Sequence, residues 1–164
     1  YHIISGYTPY THLLYNHLYE IVDNPDDIVI NTVGPINSLG NSRLDTKFNV
    51  HNFGILKDRL ELSKIYQASD VFALTTLADA GPMMATECVK NNTPLVAFNR
   101  SIALDLIGEQ GKNGYIANEC KEYSQKLYDI LYNNNFHMDL DYVTNFNSEK
   151  VVYKKFEQFI KTIK

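Results

Sequence analysis

The chain has 164 residues, of which 45% are hydrophobic and 21% charged, with a formal net charge of −4. That balance belongs to a globular domain with a full core and excludes intrinsic disorder, and the acidic charge argues against nucleic acid as a partner. No apolar run is long enough to span a bilayer, and no signal-peptide pattern opens the chain. The two cysteines, Cys88 and Cys120, lack metal-ligand spacing and read as free thiols of a reduced, cytoplasmic compartment. The chain opens at Tyr1 inside a strand-like run, with no initiator Met, which suggests a piece cut from a longer protein at a domain boundary.

In chain order, His2–Ser5 reads as a strand ending at Gly6. Thr8 then caps a helix with Pro9 at its first position, where a missing N–H costs nothing. Leu14, Leu18, Ile21 and Val22 recur at helical spacing and predict its buried face. Asp27–Val33 is a near-continuous apolar strand broken by Gly34-Pro35, followed by a polar loop to about Lys47 and a short strand, Phe48–Phe53, ending at Gly54. Asp58 with Glu61 forms a capping box for a helix that buries Leu62, Ile65 and Tyr66. Val71–Thr75 is the next strand; Pro82 marks a helix start and Asn91-Asn92 its left-handed stop. Leu95–Phe98 is another apolar strand, Ile102–Ile107 a short helix and Gly114–Ala117 an edge-like strand. A helix from Glu119 to about Tyr132 buries Tyr123, Leu127, Ile130 and Leu131. The last helix, from Ser148, gathers Val152, Phe156, Phe159, Ile160 and Ile163 opposite Lys150, Lys154, Lys161 and Lys164. Strands this apolar, alternating with helices, predict an α/β parallel sheet covered on both faces, with residues 1–164 as a single domain. Such sheets bind ligands outside the carboxyl ends of their strands, at the switch point, and Gly6 and Asp79 both lie just past such ends.

The chemistry concentrates between Ser69 and Phe98, where Asp79 and Glu87 flank a loop-to-helix junction. An ionised carboxylate only accepts hydrogen bonds, which suits the vicinal hydroxyls of a ribose or a hexose. A helix start offers free amides and a positive dipole end, which suit a phosphate. Pro82 has no such donor, leaving the amides of Met83 and Met84. Composition alone favours a plainer alternative, in which Asp79 is a loop acid near a helix start and Glu87 a solvated helix residue.

The wider pattern reverses that preference. Ser63-Lys-Ile-Tyr66-Gln-Ala-Ser-Asp70-Val-Phe-Ala-Leu-Thr75 resembles the LY-x-A-A-D-V-F-V-L-P-S stretch of glycosyltransferase family 4, and Asp79 to Glu87 aligns with its Glu-x7-Glu element. Thr93–Phe98 is similar to that family's G-T-P-V-V-A strand, Asn113–Ala117 to its N-G-(Y/L)-L-V turn and Asn145–Glu149 to the F-S-W-E that opens its final helix. The resemblance covers nearly the whole chain. It implies a Rossmann-like doubly wound sheet, the C-terminal, donor-binding half of a glycosyltransferase-B fold. The implied function is retaining transfer of a sugar from a nucleotide-diphosphate sugar to a glycan or lipid-linked acceptor in polysaccharide biosynthesis. The acceptor site would lie on an N-terminal domain, so the isolated chain is expected to be inactive. By the same resemblance Asp79 contacts donor-sugar hydroxyls and is the catalytic candidate, and Glu87 contacts the ribose. The backbone at Gly81, Pro82, Met83 and Met84 meets sugar and diphosphate, Gly6 and Tyr7 belong to the diphosphate loop, and Phe53-Gly54-Ile55 lies near the base. No metal and no cofactor besides the donor substrate is implied.

Two departures stand out. Asp79 replaces the family's first Glu, one methylene shorter, and the loop Gly6-Tyr7-Thr8-Pro9-Tyr10-Thr11-His12 carries none of the Arg and Lys that usually grip the diphosphate; His12 and Arg100 are the nearest substitutes. The missing cations favour a second function, a degenerate non-catalytic domain that binds a nucleotide-sugar or pairs with an active subunit. Asp139-Leu140-Asp141 has the Asp-x-Asp form of metal-dependent glycosyltransferases but reads as a solvated loop, and the five histidines have no ligand spacing. Gly6 lacks a following G-x-G-x-x-G, which argues against dinucleotide binding. Cys88 reads as a small buried residue. The basic face of the last helix reads as solvated, with peripheral contact to anionic lipid at the inner membrane face as the alternative.

Overall fold

In a computed structural model of the chain, the described residues are 1–5, 8, 10–34, 46–77, 83–99, 103–108, 111–132, 136, 138–139, 141–142 and 148–163. Six short strands form the sheet: β1 His2–Ser5, β2 Val29–Thr32, β3 Asn49–Asn52, β4 Val71–Leu74, β5 Leu95–Phe98 and β6 Gly114–Ala117. All neighbours pair in parallel, in the order β3-β2-β1-β4-β5-β6. This is the doubly wound Rossmann order, and its switch point lies between β1 and β4.

Among the described residues the helices include α1 Thr11–Ile21, α2 Arg59–Gln67, α3 Met83–Lys90, α4 Ala103–Ile107, α5 Cys120–Tyr132 and α6 Glu149–Ile163. Because side chains alternate along a strand, consecutive residues feed opposite cores. Ile3, Ile30, Val71, Ala73 and Val96 join Leu14, Leu18, Tyr123 and Leu127 of α1 and α5 on one face. Ile4, Phe72, Leu74, Leu95 and Ala97 join Tyr66, Ala85, Val89 and Leu106 of α2, α3 and α4 on the other. Two covered faces explain why β4 and β5 are apolar at every position.

Several boundaries differ from the sequence expectation. Tyr10, not Thr8, precedes α1, and it makes no side-chain cap; Thr8 instead forms a turn, its carbonyl accepting from the Thr11 amide at 3.0 Å. The proposed Pro9 position lies outside the described residues. On α1 the buried set is Thr11, Leu14, Tyr15 and Leu18, while Ile21 is 39% exposed, because α5 crosses α1 and draws Tyr15 inward. Asp27 belongs to a 3-10 turn, Pro25–Asp27, so β2 starts at Val29. Of the three residues expected to be buried in α2, Tyr66 is buried, while Leu62 and Ile65 are partly so. Asn92 takes the expected left-handed conformation, φ 63°, and stops α3. Asp58 caps α2 as expected, its Oδ1 accepting from the Leu60 amide at 2.8 Å.

Candidate functional site

The carboxyl ends of β1 and β4 sit side by side, with Ser5 in register with Ala73. The backbone beyond each is tied to the other, since the Thr8 hydroxyl donates to the Thr75 carbonyl at 3.3 Å. The expected site residues Gly6, Tyr7, Asp79, Gly81 and Pro82, and the substitute Arg100, lie outside the described residues. The others are described. Met83 and Met84 open α3, 69% and 47% exposed, and the first amides of a helix have no partner within it. His12 is exposed in the first turn of α1.

Gly54 ends β3 with φ 68°, a conformation that costs a side-chain-bearing residue energy. Its amide donates to Asn52 Oδ1 and its carbonyl accepts from the Gly34 amide, both at 2.7 Å, locking together the ends of β2 and β3. Ile55, next along, presents its side chain to solvent at 68% exposure. The stretch expected near a base is therefore a rigid turn with an open apolar side chain.

Glu87 is half-buried, and its charge lies near the buried phenol of Tyr66 on α2. Burial first, then the charge of Glu87, pushes the Tyr66 phenol well above its ordinary range and keeps that proton on the oxygen.

Also missed was a cleft of about 580 Å³ along the same edge, lined by Tyr10, Leu77, Phe98, Asn99, Asn118, Glu119 and Cys120. Asn99 Nδ2 donates to Asn118 Oδ1 at 3.0 Å, and Asn118 is itself held by Glu122, whose Oε2 accepts from the Asn118 amide at 2.7 Å. Asn99 and Asn118 directly follow β5 and β6, so the strand-end rule applied to every strand would have found them.

The Asp-x-Asp candidate resolves differently from a solvated loop. Asp139 is half-buried, pairs with Lys112 at 3.6 Å and accepts from the Tyr142 amide at 3.0 Å, which makes it a clasp between two segments. Both cysteines are free thiols, Cys88 fully buried and donating to the Thr93 carbonyl at 3.2 Å. Among the described residues no group of three or more His, Cys, Asp or Glu side chains could hold a metal, and no described helix is long and apolar enough to cross a membrane.

A parallel sheet in this order, with its switch point between β1 and β4, defines a doubly wound, Rossmann-like α/β class of protein. The family model for glycosyl transferases group 1 matches residues 42–145, and the chain belongs to that family. No curated protein sequence matches it significantly. Among solved structures, Anabaena Alr3699/HepE in complex with UDP-glucose superposes with a TM-score of 0.70 at 16% identity, over 98% of this chain and 48% of that one. The pneumococcal O-GlcNAc transferase GtfA in complex with UDP and GlcNAc gives 0.66 at 16% identity, over 99% and 35%. WaaG, a glycosyltransferase involved in lipopolysaccharide biosynthesis, gives 0.62 at 14% identity, over 88% and 41%. At these identities the likeness is one of fold, and the fold is that of one half of a glycosyltransferase-B enzyme. The chain spans about half, or less, of the length of these structures.

Proposed function

We propose that this chain is the donor-binding half of a retaining hexosyltransferase of glycosyltransferase family 4, moving a sugar from a nucleotide-diphosphate sugar to a glycan or lipid-linked acceptor held by a second domain. The observation that carries this reading is the spread of ligand groups along one sheet edge. The Gly54-Ile55 turn ends β3 and the start of α3 follows β4, three strand spacings away. At about 4.8 Å per spacing this is roughly 14 Å, too far for one sugar ring and suited to a nucleotide joined to a sugar through a diphosphate. The first amides of α3 suit the diphosphate, Glu87 the ribose hydroxyls, and Asp79, which precedes α3 in the sequence, the transferred sugar. UDP in the HepE and GtfA structures supports a nucleotide-sugar as the ligand class. Protein groups and helix amides take the place of a metal at the diphosphate. The work of such a domain is to hold the donor's reacting carbon still and dry while the partner domain presents the acceptor.

The degenerate-partner reading is favoured by one observation, the lack of Arg and Lys from Gly6 to His12. Substitution of the two carboxylates tests both readings. Glu87→Gln is expected to weaken a bare nucleoside diphosphate and its sugar conjugate alike, by about 1–3 kcal/mol, through loss of a charge-assisted acceptor. Asp79→Asn is expected to spare the bare nucleotide and weaken the conjugate. Calorimetric titration of UDP, GDP and ADP and their glucose conjugates reads both. Negligible effects of both substitutions in folded protein would remove the donor-site reading. Intact binding without transfer by the whole protein would favour the degenerate one.

A further inference from the structure

The cleft of about 580 Å³ beyond β5 and β6 lies apart from the groups assigned to the donor. Its Phe98 and Leu77 belong to the core on the α1/α5 face, whereas α3 packs on the opposite face through Ala85 and Val89. The floor is apolar and fixed, since the Phe98 ring packs against Tyr123 with centroids 4.8 Å apart and Leu77 packs on the same core. One wall is a chain of amides whose orientation is set from one end. The Glu122 carboxylate can only accept, and its Oε2 takes the backbone amide and the Nδ2 of Asn118, at 2.7 and 3.1 Å. Asn118 Oδ1 is thereby left for Asn99, which donates its Nδ2 at 3.0 Å. The Asn99 carbonyl oxygen then has no partner among the described residues, nor has the Glu119 carboxylate or the Tyr10 hydroxyl. A preset row of polar groups thus stands over an apolar floor.

We propose that this cleft is a saccharide subsite, seating a pyranose ring of the glycan acceptor beside the donor. This rests on the reading of the chain as the donor-binding half. A pyranose presents C–H groups on its faces and, around its rim, hydroxyls that both donate and accept. Phe98 and Leu77 match the face, and the free acceptors of Asn99 and Glu119 with the hydroxyl of Tyr10 match the rim. Amides already locked by Glu122 lose little freedom when the ligand arrives. A phosphate fits the cleft poorly. No cation lines it among the described residues, and Glu119 and Glu122 already supply the negative charge that the start of α5 attracts. Tyr10 stands two residues beyond Thr8, whose hydroxyl bonds the Thr75 carbonyl past the end of β4, so the cleft borders the switch point.

Cys120 lines the cleft and is partly exposed, whereas Cys88 is fully buried. Alkylation of Cys120 by iodoacetamide, read by peptide mass, therefore reports whether the cleft is filled. The probes are the methyl glycosides of glucose, galactose and N-acetylglucosamine, each with and without UDP, and glycerol is the control. At least one glycoside is expected to slow alkylation on the order of threefold once its concentration exceeds its Kd, equally with UDP present. Asn99→Ala and Glu119→Gln, both at exposed positions, are expected to abolish that protection, taken as a ratio within each variant, and to leave UDP affinity unchanged. No protection by any glycoside, or equal protection by glycerol, would overturn the proposal. Protection that survives both substitutions would place the sugar elsewhere and overturn it too. Protection by UDP-glucose but not by UDP would put the donor's own sugar in the cleft and overturn the acceptor assignment. Protection by a glycoside in a chain that binds none of UDP, GDP and ADP would support the saccharide site and sink the donor reading.

Discussion

A single hydrogen atom decides what stands at position 114. Gly114 pairs with Leu95 across β5 and β6, at φ 149°, and a Cβ built there falls 1.7 Å from the Leu95 carbonyl oxygen. That oxygen belongs to the sheet backbone and cannot move without unzipping the pair. Gly114→Ala is therefore expected to cost more than about 3 kcal/mol, a large share of a typical domain's stability. Urea unfolding should show the midpoint collapse toward zero denaturant; a midpoint within experimental error of the parent protein would contradict the tight approach. Position 54 differs, because a Cβ there meets nothing within 4 Å and only the backbone angle resists.

Among the elements, α2 depends most visibly on its cap. It is short, its Leu60 is 71% exposed, and only Tyr66 is fully buried, so packing contributes less to holding it than in α5. Its start consequently relies on Asp58, whose carboxylate takes up the Leu60 amide. Asp58→Ala is expected to lower stability by about 1 kcal/mol, visible as a lower urea midpoint at unchanged slope. Helix α5 is anchored differently: the Tyr123 hydroxyl donates to the Val96 carbonyl at 2.5 Å and the Ser124 hydroxyl to the Leu14 carbonyl at 2.7 Å. Those two bonds tie α5 to the sheet and to α1. Helix α6 presents Phe156, Phe159 and Ile160 to solvent, 60%, 59% and 40% exposed, so its apolar stripe is not covered by the described part of this chain.

Over the whole molecule, the buried acids that matter are weak ones. Burial pushes the Cys88 thiol well above 9.0, opposed by its bond to Thr93, and pushes the Tyr66 and Tyr123 phenols well above 10.0. Tyr15 follows the same direction by burial, opposed by Ser5. Each group keeps its proton longer folded than unfolded, so the folded state binds more protons once pH passes the ordinary values. Their stabilising contribution is whole below about pH 9 and is lost as pH rises, first through Cys88 and then through the tyrosines. Urea midpoints are expected to fall steadily between pH 8.5 and about 10.5, and Cys88→Ala should delay the onset of that fall. A flat profile in that interval would mean these groups are solvated in the folded protein.

Much of this was legible from sequence for a local reason. Short-range patterns settle which segments are strands and helices: Leu95–Phe98 had no polar residue to expose, Asp58 stood where a cap must, and Asn92 tolerated the left-handed turn that ends α3. The resemblance around Tyr66–Phe98 carried the family for the same reason, since its motifs are contiguous. What sequence by itself left open depends on contacts between distant segments. Whether Ile21 or Tyr15 faces inward is set by α5, more than 100 residues further along, which crosses α1 and shifts its buried stripe. The nearness of Tyr66 to Glu87 arises only when α2 and α3 pack side by side on one face of the sheet. The cleft behind Asn99 and Asn118 exists only because β5 and β6 end at the same edge. Periodicity constrains neighbours along the chain, whereas direction, burial and pairing of a side chain are fixed by whichever element the tertiary fold lays against it.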